Sequence, residues 1–349
     1  MEKRALNFEK ANLQYEGIIG TGGIGTGNFF QLNGNHTLGR EESRSGFFLD
    51  VKDYCKQHII LHYVKVLLGD VFPVIPVGRV GDDTYGNAMI NEMRETGFMM
   101  DYVEKIKNIS TLFSFCFYYP DGNGGNLTTD NSASSLVDNA AIDTVTDEIK
   151  KLKTKGMIMA APEVPFETRK YLIELGKKNG LFCTASFTTE EIPLAMQSGI
   201  FSQIDLLAVN IDEAAAVTGM SWEACDVVPL IQQAVKKLVS YNKDMLVSIT
   251  AGKRGSWCWT GQDLIHFPAI ETTVKSTAGA GDSFFAGLLC GKALGLSIAD
   301  SQQLATLIAG LKVQSPHTIN KEVDRKSLES FMKNSGLQFS GTIINLLKN

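Results

Sequence analysis

The chain has no apolar run approaching the roughly 20 residues that a bilayer-spanning helix needs. Its start, Met1-Glu2-Lys3-Arg4, leads into Asn7, Glu9 and Lys10, which interrupt any apolar signal segment. A cytoplasmic protein is expected. The cysteines Cys55, Cys116, Cys183, Cys225, Cys258 and Cys290 are scattered with no CxxC pair, which argues for reduced thiols rather than a disulfide framework. A net charge of −5 with no Lys/Arg run argues against a nucleic-acid surface. No GxxxxGK[ST] occurs, so the chain is not a P-loop enzyme, and no HExxH occurs. Internal repeats, low-complexity linkers and clean boundaries are also lacking, so residues 1–349 are expected to form one domain.

What the chain does have is ordinary globular composition, 44% hydrophobic and 20% charged, and a rhythm. Short apolar segments alternate with helical patterns from about residue 70. The expected strands are 71–77, 157–161, 181–184, 204–209 and 245–250. The expected helices are 84–96, closed by Gly97, then 168–178, 211–218 and 227–241. Such alternation implies a mostly parallel sheet with helices on both faces, and ligands beyond the carboxyl ends of its strands. Residues 28–50 and 111–130 break the rhythm: both are turn-rich and read as β-hairpin material able to pair into a small lid.

Five motifs carry candidate chemistry. Gly20-Thr-Gly22-Gly-Ile-Gly25 matches GxGxxG, but a dinucleotide site needs a substantial helix next. Asn28 to Leu32 leaves room for at most a turn and a half of helix before Asn33-Gly34, so these glycines more readily let a ligand or the lid approach the backbone. Cys55, His58 and His62 share one face if 54–68 is helical, a partial zinc set with no evident fourth ligand. Asn210-Ile-Asp-Glu213 follows a strand and has a capping-box spacing, which alone accounts for both residues, or they hold hydrated Mg²⁺ near phosphates. Thr250-Ala-Gly252-Lys-Arg-Gly255 is a hairpin turn or a nucleotide-lining turn. Gly279-Ala280-Gly281-Asp282 opens a helix. Unpaired N–H groups at such a start hold anions, and small residues let a phosphate come close. A carboxylate beside an anion site makes sense if it takes a proton during reaction.

Taken in order, these motifs resemble the PfkB-type, or ribokinase-like, carbohydrate kinase family over about residues 70–335. Val77-Gly-Arg-Val-Gly-Asp82-Asp83-Thr-Tyr-Gly86 is similar to the family's Gly-Asp-Asp segment. Asp205 to Gly219 is similar to its Asn-x-x-Glu motif, Thr250 to Gly255 to its nucleotide turn, and Thr277 to Asp282 to its Thr-x-Gly-Ala-Gly-Asp signature. The resemblance implies a three-layer α/β/α ribokinase-like body with a mostly parallel central sheet, a small β-sheet lid, and ATP-dependent phosphorylation of a hydroxyl. It implies Asp282 as base and the Gly279, Ala280 and Gly281 amides as anion hole. Thr250, Gly252, Gly255 and Thr277 would lie along the nucleotide, and Asn210 and Glu213 would position Mg²⁺; a monovalent cation such as K⁺ is a further ion to test. The acceptor would be a sugar or a nucleoside. If residues 28–50 and 111–130 pair between chains, the protein would be a homodimer through the lid. The substrate side departs from the family. Ser276 stands where the signature opens with Asp, the loop after the first strand has no acid, and Ala185-Ser186-Phe187 replaces Asp-Pro. Thr26, Asn28, Arg40 and Asp50 are the acceptor-side candidates that remain. A protein that binds nucleotide or sugar without catalysis, and an oxidoreductase using the first glycine run, are the competing readings.

Overall fold

A computed structural model describes residues 4–121, 124–222 and 226–348. Cys225 and the hairpin tip at Gly122 and Asn123 lie outside the described residues. In chain order the strands are β1 (Gly17–Thr21), β2 (Gly25–Leu32), β3 (Gly46–Tyr54), β4 (Val74–Gly81), β5 (Val103–Ile106), β6 (Leu112–Tyr118) and β7 (Gly124–Thr128). There follow β8 (Gly156–Ala160), β9 (Phe182–Ala185), β10 (Leu206–Asn210), β11 (Leu246–Thr250), β12 (Ser256–Trp259) and β13 (Leu264–Phe267).

Nine strands form one sheet in the order β13-β12-β11-β10-β9-β8-β1-β4-β5. Its pairings are parallel from β11 to β5, and only β12 and β13 run antiparallel. β1 is buried along its whole length, as a central parallel strand must be when helices cover both faces. Its alternation separates two cores: Ile18 joins one apolar cluster and Ile19 the other. The first cluster is closed by the helices Lys56–Leu68, Ala280–Ala293 and Ile298–Lys312, the second by Phe166–Lys178 and Val228–Val239. This is the three-layer ribokinase-like body expected from sequence. The helix Thr84–Thr96 has the predicted bounds because its ends are chemically marked: Asp83 accepts the Gly86 N–H, and Gly97 closes it at φ +96°. The strand expected at 71–77 instead runs from Val74 to Gly81. Its register on β1, with Ile18 opposite Val74, decides this, and Pro73 contributes only its carbonyl to the Ile18 N–H. Among the described residues no helix is long and apolar enough to cross a membrane. The five described cysteines are buried and unbridged.

The lid is a second sheet, β3-β2-β6-β7, so the two rhythm-breaking segments do pair, though β2 begins earlier and β3 ends later than residues 28–50. Residues 28–32 are strand rather than helix, which removes the helix start that a dinucleotide fingerprint requires. The glycine run instead serves close packing. A Cβ on Gly25 would strike the Leu112 carbonyl, one on Gly27 the Ser114 hydroxyl, and one on Gly23 the Glu163 carboxylate. The lid has two unlike faces. Phe29 stacks on Tyr118, whose hydroxyl reaches Ser276 of the body at 3.1 Å, so this face looks inward. Phe30, Phe48 and Phe115 cluster on the other, with Phe48 62% exposed.

Candidate functional site

The carboxyl ends of β8, β9, β10 and β11 open into a cleft of about 350 Å³, closed on its far side by the start of the helix Ala280–Ala293. Pro162, Ser186, Asn210 and Thr250 line it from the strand ends, and Gly279, Gly281 and Asp282 from the helix start.

That helix start presents N–H donors with no side-chain cap. Gly279 is the N-cap at φ +78°, a conformation that favours glycine, and a Cβ there would lie 2.6 Å from the Thr318 carbonyl. Ala280 spends its N–H on the Thr277 carbonyl at 3.0 Å. Among the described residues no protein acceptor takes the N–H of Gly279, Gly281 or Asp282, so the donor set differs by one member from the Gly279, Ala280, Gly281 set read from sequence. Thr277 is exposed at the mouth of the loop, and Asp282 is half-buried in the first turn.

Asn210 and Glu213 form the capping box that their spacing implies. Glu213 N–H donates to Asn210 Oδ1 at 2.9 Å, Asn210 N–H to Glu213 Oε2 at 2.8 Å, and Asn210 Nδ2 to Glu213 Oε1 at 2.9 Å. Capping does not explain why Glu213 is placed in the cleft, where burial pushes its carboxyl up to about 7. Thr250 lines the cleft; Gly252 and Gly255 lie just past it in the tight turn joining β11 to β12, at φ +55° and +91°. Ser186 and Ser248 also line the cleft, and their buried hydroxyls have no partner among the described residues, so they are donors available to a ligand.

Sequence reading missed Lys56, which lines the cleft, and Glu163 and Asp53, which lie near it without lining it. Lys56, the first residue of the helix Lys56–Leu68, lines the cleft, and its ammonium is held in the charged form chiefly by Asp282, with Glu163 and Glu213 adding to this against its burial. Glu163, just past β8, accepts the Lys56 backbone N–H at 2.9 Å and sits at φ +77°. Burial pushes its carboxyl up to about 7. Asp53, near the end of β3, is 4% exposed on the inner lid face, accepting from Ser114 Oγ and, at 3.6 Å, from Cys116 Sγ; burial raises its pKa. The one available signal was an acid after an expected strand in Pro162-Glu163-Val164-Pro165.

The four acceptor-side candidates from sequence are placed elsewhere. Thr26 turns its hydroxyl to the Asp53 carbonyl at 3.1 Å, Asn28 is exposed on the outer lid face, and Arg40 and Asp50 are exposed on the loop and strand beyond it. None of the four lines the cleft. The helix that would carry a zinc set exists, but His58 packs between Tyr54 and Phe98 and His62 lies beside it against Tyr63, and burial pushes both down to about 3. Among the described residues no group of three or more His, Cys, Asp or Glu is arranged to hold a metal.

Comparison with known proteins agrees with this fold. The model of the pfkB family carbohydrate kinases matches residues 63–325. A deoxyribokinase of Salmonella typhi is 26% identical over 211 residues, 60% of this chain, and the match spans 66% of that protein. A ribokinase of Arabidopsis thaliana is 26% identical over 268 residues, 75% of this chain and 68% of that one. Among solved structures, the Arabidopsis thaliana ribokinase complexed with ribose and ATP superposes with a TM-score of 0.69 at 21% identity, covering 93% of this chain and 100% of that chain. Ribokinase from Giardia lamblia gives 0.76 at 18% identity, covering 91% and 98%. A Burkholderia thailandensis nucleoside kinase in complex with inosine gives 0.70 at 17% identity, also covering 91% and 98%. With the family model matched over most of its length, this chain belongs to the pfkB family of carbohydrate kinases.

Proposed function

We propose that the protein transfers the γ-phosphoryl group of ATP to a hydroxyl of a sugar or sugar-like molecule, with Asp282 as the base. The observation that carries this reading is one carboxylate in the first turn of a helix whose neighbouring N–H groups have no protein acceptor among the described residues, facing the ammonium of Lys56. In the proposed step Asp282 takes the proton of the acceptor hydroxyl while that oxygen bonds to the γ-phosphorus. The bond from the γ-phosphorus to the bridging oxygen breaks, and its electron pair leaves with ADP. The N–H groups of Gly279, Gly281 and Asp282, and the ammonium of Lys56, oppose the charge on the transferring group. Ser186, Ser248 and Thr250 offer hydroxyls along the nucleotide, with Gly252 and Gly255 letting the turn pass close to it.

The oxygen donors Asn210 and Glu213 suit a hydrated Mg²⁺: Glu213 is a half-buried carboxylate lining the cleft whose charge a cation would compensate. Bound there, Mg²⁺ would supply charge neutralisation for the phosphates.

On the acceptor side we assign the role of holding hydroxyls to Glu163 and Asp53 in place of Arg40 and Asp50. The lid, carrying Asp53 and Tyr118 inward, would cover the acceptor and keep water from the phosphoryl group. Phe48 and Leu127, 62% and 61% exposed, favour the lid as the place where two copies would meet. The relatives solved with ribose and ATP and with inosine support a sugar or nucleoside acceptor.

The direct test is ADP release across a panel of pentoses, hexoses, sugar phosphates and nucleosides. Turnover with one class is the expected result; saturable binding with no ADP formed would instead mean a sensor. Glu163 gives a second expectation. Its carboxyl, raised to about 7, is charged only above that pH, and only the charged form accepts from every hydroxyl presented to it. The acceptor KM should therefore fall as pH rises from about 6 to 8, and Glu163→Gln should raise it by about 10- to 100-fold, the worth of a hydrogen bond to a charged group. A KM independent of pH and of this substitution removes the assignment.

A further inference from the structure

Ser276, which precedes the anion loop, is 6% exposed and held on three sides. Its hydroxyl meets Tyr118 of the lid at 3.1 Å and accepts the Ala278 N–H at 3.2 Å. Its carbonyl accepts a hydrogen bond from Lys312 Nζ at 3.0 Å. Lys312 is the last residue of the helix Ile298–Lys312 and is fully buried. It forms no ion pair within 4 Å among the described residues; its charged neighbours are Asp282 of the anion helix and Asp53 of the lid. A buried ammonium held by one neutral carbonyl is costly, and its cost is explained if its charge is used where it lies.

A free monovalent cation such as K⁺ does not fit this loop. Ser276 brings no carboxylate, its carbonyl is already taken, and an ion sharing that carbonyl would sit beside a like charge.

We propose that Lys312 is the loop's own monovalent cation: its ammonium fixes the Ser276 carbonyl, and so the turn that aims the Gly279, Gly281 and Asp282 N–H groups, and it places positive charge beneath the bound phosphates. Lys312 is a positioning residue in this role, and the role rests on the kinase reading of the cleft. Burial pushes its ammonium down to about 8, against the pull of Asp282 and Asp53, so near neutrality it keeps its proton.

The test compares ADP affinity by calorimetry, and ADP formation with the accepted substrate, in tetramethylammonium chloride and in potassium chloride at equal ionic strength. For the wild-type protein both should change by less than about twofold, and a gain of about tenfold or more in potassium overturns the proposal. Lys312→Met should weaken ADP binding by about tenfold or more, and potassium or methylammonium ions should restore part of the loss. Unchanged affinity, or a loss that neither ion restores, also overturns the proposal. If Lys312→Met does not fold, the wild-type comparison decides alone. Wild-type protein that binds no nucleotide in either salt brings down the kinase reading itself, whereas binding that requires potassium brings down only the role of Lys312.

Discussion

Asp282→Asn should lower ADP formation with the accepted hydroxyl by about three orders of magnitude, the middle of the usual range for removing a general base. The amide has nearly the shape of the carboxylate but cannot take the proton. The fold should hold, because Asp282 makes no side-chain hydrogen bond among the described residues and the helix start is capped by no side chain. What stability is lost is the attraction of one carboxylate for the helix N-terminus, about 0.3–1 kcal/mol. Nucleotide binding should be kept or tightened, since a negative charge beside the phosphates has gone. Stopped turnover with a retained melting transition and retained ADP binding is therefore the expected pattern. Near-normal turnover would remove Asp282 from the chemistry.

Lys56→Met should lower kcat by about 10²- to 10³-fold, the usual loss when one electrostatic partner of the transferring group is deleted in a water-poor site. Its structural effect should be modest at the backbone, since the Lys56 N–H that binds Glu163 survives the substitution. A second readout separates charge from packing. Lys56 lowers the proton affinity of both Glu163 and Glu213. Without it both carboxyls hold their protons to higher pH, so the acidic limb of the rate profile should move upward. Lys56→Arg should keep that limb in place. A profile that does not move in Lys56→Met would show that the ammonium is not coupled to these acids.

How much of this site could be read beforehand depended on how local its causes are. The helix Thr84–Thr96 was legible because Asp83 and Gly97 mark its ends within a few residues. The capping box of Asn210 and Glu213 and the glycine-led start before Asp282 were legible for the same reason. The strand at Val74–Gly81 was misplaced because its limits come from pairing with β1, more than fifty residues away. Lys56, Glu163 and Asp53 belong to three separate segments, and nothing near any of them announces the others. Burial separates acids that lie close together in the chain: Asp53 is enclosed where Asp50, three residues away, is exposed.

The sequence by itself determined the alternating body, the two lid segments, and the ordered phosphate-side motifs. Each of these follows from a period, a cap or a glycine constraint acting within a dozen residues. Tertiary structure decided which charges gather at and around the cleft. It set one half-buried lysine among Asp282, Glu163 and Glu213, a fully buried one against the Ser276 carbonyl, and Gly25 of the first glycine run against Leu112 of the lid. Electrostatic partnership depends on distance and burial, and these exist only once the strands have found their order.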